Sequence, residues 1–199
     1  MSINKRVILT STGFTNDEVT YKIKKILHIS FEETKVLIIP TARKGIFNKE
    51  KYIDSFLNVG FKYENLVFFD DEEVDLFKDL DIDMIYVCGG NTFWLQKYIR
   101  ESNFDNEIKK YVKNGVVYVG ASAGSHFATE NIEHVSYFDE NDVRIRNFEG
   151  LKLIDGILIC HYDETREKIY EMLMKENKKV YTLSDTDVLY TDSGEIYKI

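Results

Sequence analysis

"VVYVGASAGSH", residues 116–126, joins a β-branched run to a turn made of Gly120, Ala121, Ser122, Ala123 and Gly124, with the first turn of a helix expected directly after it. A strand buried on both faces reads as a continuous apolar run rather than an alternating one, and 116–120 has that character. Similar runs recur at fairly even spacing: RVILT (6–10), KVLII (35–39), LVFF (66–69), MIYVC (84–88) and GILIC (156–160). The segments between them have helical period, as in 17–29 with Val19, Ile23, Ile26 and Leu27, in 49–58 with Tyr52, Ile53, Phe56 and Leu57, and in 104–113. Thr15 and Asn16 can cap the first of these helices, while Gly60 and Gly115 follow the other two. Strand then helix, repeated, predicts a three-layer α/β sandwich with a mostly parallel central sheet and helices on both faces. After Lys179 the runs VYTLS, VLY and EIYKI are short and close together, and the turn cluster at 191–194 predicts a C-terminal antiparallel hairpin at a sheet edge. No internal repeat, low-complexity tract or linker interrupts the chain, so one domain over 1–199 is expected.

Composition narrows the function classes. With 44% hydrophobic and 30% charged residues the chain is ordinary globular material, and no apolar run approaches the roughly 20 residues that span a bilayer. The start, MSINKRVILTSTGF, passes from a short basic stretch into a strand-like run and not into an apolar signal segment, so a cytoplasmic protein is expected. A net charge of -8, with basic residues interleaved among acids, argues against a nucleic-acid partner. Cys88 and Cys160 form neither a C-x-x-C motif nor a Cys/His ligand spacing; reduced, partly buried thiols and no metal are expected.

The serine in the opening stretch has two readings. G-x-S-x-G marks a nucleophile on a strained strand-to-helix turn, which needs small neighbours; a close-packed strand–helix corner needs the same small neighbours. A nucleophile also needs a base, and there are four histidines. His28 falls near the end of a helix, His126 lies one turn beyond Ser122 and points away from the tip, and His134 sits in the irregular segment 131–150. His161 directly follows GILIC, so it emerges at the C-terminal end of a parallel strand, the edge where open α/β sheets place their sites. An oxyanion would find donors in the N–H of Ala123 and in the Gly89-Gly90-Asn91 turn, which precedes a helix beginning near Thr92. Carboxylates to orient the histidine are plentiful between the serine and His161, at Glu133, Asp139, Glu140, Asp142 and Asp155, and spacing does not choose among them. The irregular segment 131–150 lies where residues closing a site would be needed.

Four stretches, IIPTA (38–42), IYVCGGNTFWL (85–95), VGASAGSH (119–126) and FEGLKLIDGILICHYDETREKI (148–169), make the chain resemble peptidase family S51, the dipeptidase E and cyanophycinase group, whose fold is related to class I glutamine amidotransferases. The resemblance implies a serine peptidase acting on short peptides, Asp-X dipeptides in particular, without a cofactor. It places the nucleophile on Ser122, the catalytic histidine on His161, the acid on Asp139 with Asp142 and Glu133 as alternatives, and the oxyanion glycine on the Gly89-Gly90 pair, with Gly90 and Ala123 as the donors. The run Glu164-Thr165-Arg166-Glu167 matches a segment linked to recognition of an N-terminal aspartate, so Arg166, with Asn91, is the substrate-binding candidate; a guanidinium suits a carboxylate because it can bind it through two parallel hydrogen bonds. Cys160 stands where the family often has proline, and Ser125 where it often has alanine. The expected partner is a small peptide, not nucleic acid or membrane, with the protein a monomer or homodimer. A non-catalytic ligand-binding module of the same fold, and an amidohydrolase acting on a side-chain amide, are the alternatives; a cysteine at the turn would suit amidotransfer, and Ser122 argues against it.

Overall fold

In a computed structural model, which describes residues 6–176, 178–192 and 194–199, the apolar runs fold as strands β1 (Val7–Thr10), β2 (Val36–Ile39), β3 (Leu66–Phe68), β4 (Met84–Val87), β5 (Val117–Ala121) and β6 (Ile157–Ile159). The basic start at 1–5 and Ser193 of the expected turn cluster lie outside the described residues. Helices α1 (Asp17–Leu27), α2 (Lys49–Val59), α3 (Thr92–Glu101), α4 (Phe104–Lys113), α5 (Ala123–Phe127) and α6 (Glu167–Lys175) connect them, and β7 (Val180–Thr182), β8 (Val188–Asp192) and β9 (Glu195–Lys198) complete the chain. The caps are chemical: Asn16 accepts from the N–H groups of Glu18 and Val19 to start α1, and Gly60, with a left-handed φ of 111°, ends α2.

A seven-stranded sheet has the order β3-β2-β4-β5-β1-β8-β9. The pairs from β3 to β1 are parallel, and β8 and β9 join as an antiparallel hairpin at the edge. Alternate residues of the continuous apolar runs serve opposite faces. Val7, Leu9, Leu37, Ile39, Ile85 and Val87 pack with Leu95, Ile99 and Ile108 of α3 and α4; Ile8, Val36, Ile38, Met84 and Tyr86 pack with Val19, Ile23 and Phe56 of α1 and α2. That division produces the three layers, and it is why the central strands show no alternation.

Two expectations are corrected. LVFF is not buried on both faces: β3 is the edge strand and only half-buried. GILIC does not belong to the central sheet: β6 pairs in parallel with β7 in a separate two-stranded sheet. This pair docks on the C-terminal end of β1, where the Ser11 hydroxyl donates to the Leu183 carbonyl and accepts from the His161 N–H. Two strands that share no ladder with the main sheet are thus held at the sheet edge by side-chain bonds.

Candidate active site

Ser122 is the N-cap of α5, with φ 48° and ψ -105°, a backbone region that costs a side-chain-bearing residue about 1–3 kcal/mol. The turn is held by its neighbours. The Ser122 N–H donates to Thr10 O at 2.9 Å, and the Ser125 hydroxyl donates to the same carbonyl at 2.7 Å while accepting from the Thr10 N–H at 3.0 Å. Ser125, one of the two departures from the family pattern, therefore bolts α5 to β1. A Cβ on Gly124 would lie 2.3 Å from Val87 O, so the helix can approach β4 this closely only with glycine there. Around the turn, Tyr118, Ala123 and Phe127 are fully buried, and burying a large apolar side chain contributes roughly 1.5–3 kcal/mol, enough to offset the strain at one residue.

His161 stands one residue past Cys160 and faces the serine: its Nε2 is 3.1 Å from Ser122 Oγ. Its Nδ1 is 2.6 Å from Oδ1 of Asp185. A carboxylate on Nδ1 fixes the proton there and leaves the Nε2 lone pair toward the hydroxyl, the tautomer a base requires. Asp185 lies in the loop between β7 and β8, and its own carbonyl accepts from Thr12 Oγ1 at 3.0 Å and Asn16 Nδ2 at 3.2 Å, so the β1–α1 turn holds that loop in place.

The expectation that Asp139 orients His161 is therefore corrected. Asp139 Oδ2 accepts from the Thr92 N–H at 2.8 Å, at the positive start of α3. Asp142 Oδ1 accepts from Trp94 Nε1 at 2.5 Å, and among the described residues neither Asp142 nor Glu133 hydrogen-bonds to His161, so neither alternative replaces it. Asp155 pairs with Lys179 at 2.7 Å. The segment 131–150 is bound to α3 as a whole: Glu140 O accepts from Asn91 Nδ2, Asn147 O from Gln96 Nε2, and Ile132 and Val135 pack on Phe93. Asp185 follows the base in the chain, outside the interval between Ser122 and His161 that holds the other candidate acids. A signal existed: VYTLS (180–184) reads as a strand, and a strand parallel to GILIC would deliver the residue after it, Asp185, to the edge that carries His161.

Of the expected oxyanion donors, Ala123 adjoins the serine directly. Ala123 is the first residue of α5, so its N–H has no intrahelical acceptor. Gly89 packs against the turn, since a Cβ there would lie 3.3 Å from the Ser122 Cβ. Gly90, at φ 145° with Ala42 O only 2.3 Å from where a Cβ would sit, has an N–H that meets no acceptor among the described residues. Asn91 is corrected from substrate contact to scaffold: its Oδ1 accepts from Phe93 and Trp94 N–H groups as the cap of α3, and its Nδ2 donates to Glu140 O. Arg166 lies beside the base: Nη1 donates to Cys160 O at 2.5 Å, and its Cζ is 4.1 Å from the Phe138 ring centroid. It forms no ion pair among the described residues.

The remaining histidines are structural. His28, at φ 51°, is the left-handed C-cap of α1. His126 is buried, and its Nε2 accepts from the Cys160 N–H at 3.3 Å. This bond accounts for the second departure from the family pattern, because a proline at 160 would have no N–H to give. His134 is buried too, its Nε2–H donating to Leu158 O at 2.7 Å while its Nδ1 has no partner. Burial pushes His126 well below the usual range and His134 down to about 4. An unfolded histidine titrates near 6.5, so between pH ~6.5 and ~4 the unfolded chain binds protons that the folded chain refuses. The stability due to neutral His134, about 3 kcal/mol across that window, is complete above pH ~6.5 and is lost as the pH falls. Thermal melts from pH 7 to 4.5 should therefore show a flatter decline for His134→Gln than for the wild type; parallel curves would refute this account. Burial also pushes Cys88 and Cys160 up to about 12, which leaves both as thiols. Among the described residues, no three His, Cys, Asp or Glu side chains converge as a metal site requires, and no helix is long and apolar enough to cross a membrane.

Fold and site together define an α/β protein of hydrolase type, with a Ser–His–Asp hydrogen-bond chain on a strand-to-helix turn at the C-terminal edge of a parallel sheet. The chain belongs to peptidase family S51, whose model matches residues 7–199. It is similar to an uncharacterized peptidase of Pasteurella multocida, 29% identical over 67% of each chain, and to peptidase E of a Nostoc species, 27% identical over 91% of this chain and 79% of that one. An uncharacterized peptidase of Listeria monocytogenes aligns at 29% identity over 57% of this chain and 58% of its own length. Among solved structures, a candidate peptidase E protein from Listeria monocytogenes superposes with a TM-score of 0.81 at 22% identity, over 98% of both chains, which establishes the shared fold.

Proposed function

We propose that this protein is a serine peptidase that hydrolyses short peptides, with Asp-X dipeptides as its substrates. The observation that carries the reading is the continuous chain from Ser122 Oγ through His161 to Asp185. Ser122 Oγ attacks the scissile carbonyl while His161 Nε2 takes its proton; the resulting imidazolium is stabilised by the Asp185 carboxylate. The N–H groups of Ala123 and Gly90 receive the oxyanion. Collapse breaks the C–N bond, His161 returns the proton to the leaving amine, and water, activated by the same histidine, releases the aspartyl product from the acyl-enzyme.

Arg166 supports the aspartate preference. One of its five N–H donors is held by Cys160 O, next to the base, and the others remain available for a side-chain carboxylate. In a dipeptide panel, Asp-Leu should be cleaved well ahead of Asn-Leu and Ala-Leu. Arg166→Ala should raise KM for Asp-Leu roughly tenfold or more and leave that for Ala-Leu within about twofold. An equal effect on both would remove Arg166 from specificity, and failure to cleave any Asp-X peptide would remove the substrate class.

A further inference from the structure

The 3-10 turn Thr41–Arg43 follows β2, and the Arg43 Nε donates to the carbonyl of Gly89 at 2.9 Å. Lys44, one residue on, is neutralised by Asp71 at 2.6 Å, but Arg43 forms no ion pair among the described residues, and neither does Lys51 in the first turn of α2. These two cations line a cavity of about 290 Å³ with Thr15, Asn48, Tyr52 and Ser55, and no carboxylate lines it. In a chain of net charge -8, a concave site with two uncompensated positive charges and four neutral polar groups is built for an anion. Burial pushes the Tyr52 phenol up, so it stays protonated and able to donate.

The place is also right. From β2 the chain runs through α2 to β3 on one side, while from β4 it runs through α3 and α4 to β5 on the other, with the helices on opposite faces. The ends of β2 and β4 therefore flank a topological switch point, the crevice where open parallel sheets bind ligands. Gly89 links the two sites: its carbonyl holds Arg43, and a Cβ in its place would lie 3.3 Å from the Ser122 Cβ. Consecutive Cα atoms of a peptide stand about 3.8 Å apart, so the C-terminal carboxylate of a single leaving residue lies within one residue's length of the scissile carbonyl, on the scale of the step from Ser122 across Gly89 to Arg43.

We infer that Arg43 and Lys51 form a carboxylate subsite that receives the free C-terminus of the leaving residue and so limits the substrate to dipeptides. This rests on the peptidase reading above and adds its length selection. A longer peptide, or a C-terminal amide, presents a neutral group there and forfeits the charge-assisted bonds, a loss of roughly 10- to 100-fold in affinity.

The test is titration calorimetry of Asp-Leu and its C-terminal amide against the Ser122→Ala protein. The free acid should bind 10- to 100-fold more tightly; adding Arg43→Gln should bring the two within about twofold, and adding Lys51→Gln, which leaves Gly89 untouched, should reduce the preference part of the way. Absence of binding, absence of an acid preference, or a preference that survives both substitutions overturns the inference. So does a result in which Arg43→Gln removes discrimination between Asp-Leu and Ala-Leu while the acid preference stays. Turnover by the wild-type protein separates the two claims: equal cleavage of acid and amide sinks the subsite and leaves the peptidase, whereas no cleavage with the acid preference intact sinks the peptidase and leaves the anion subsite.

Discussion

Ser122→Ala should lower kcat for Asp-X dipeptides by roughly 10⁵-fold, about 7 kcal/mol of transition-state stabilisation, and abolish labelling by a fluorophosphonate probe. The size follows from the geometry: without Oγ there is nothing 3.1 Å from His161 Nε2 for the base to activate, and the residual rate rests on binding and the oxyanion donors alone. Ser122→Gly adds a second readout. It loses the same hydroxyl but relieves a side chain at φ 48°, so it should be equally inactive and melt a few degrees higher than the wild type. Activity in Ser122→Ala above about one percent, or a Ser122→Gly protein less stable than Ser122→Ala, would contradict the strained-nucleophile account.

Asp185→Asn should reduce kcat by roughly 10²- to 10⁴-fold, toward the lower end because the carboxylate is solvent-exposed and water can partly replace it. The amide leaves the Nδ1–H without a charged acceptor and no longer stabilises the imidazolium. Asp139→Asn provides the contrast. Its oxygen can still accept from the Thr92 N–H, so kcat should stay within about threefold while the melting point drops by the equivalent of about 0.5–1 kcal/mol, the loss of a charge at a helix start. Measuring kcat and melting temperature for both variants decides between them; a large kcat loss in Asp139→Asn with a near-normal Asp185→Asn would reverse the assignment.

Much of the fold was legible because its physical cause is local. Continuous β-branched runs separated by 3.6-period segments call for a parallel sheet covered on both sides, and the register confirms that successive residues of β1, β2 and β4 feed opposite faces. GILIC misled because an apolar run records burial, not the strand it pairs with: Ile157, Leu158 and Ile159 are buried against α5, α6 and β7 as fully as if they stood in the main sheet. LVFF misled for the converse reason, since an edge strand keeps apolar residues that its neighbours cover only in part.

The site divides in the same way. The chain's own order of residues determined that Ser122 sits on a small-residue turn and that His161 ends an apolar strand, because turn chemistry and strand ends are properties of adjacent residues. Only the tertiary structure decided which acid reaches His161, what holds the two departures at Ser125 and Cys160, and that Arg43 and Lys51 line one cavity without a carboxylate. Each of these depends on contacts between segments far apart in the chain, as in the parallel pairing of β6 with β7 that carries Asp185 to a histidine 24 residues away. Carboxylates are abundant on any acidic surface, and proximity in sequence does not select among them; the packing of strands does.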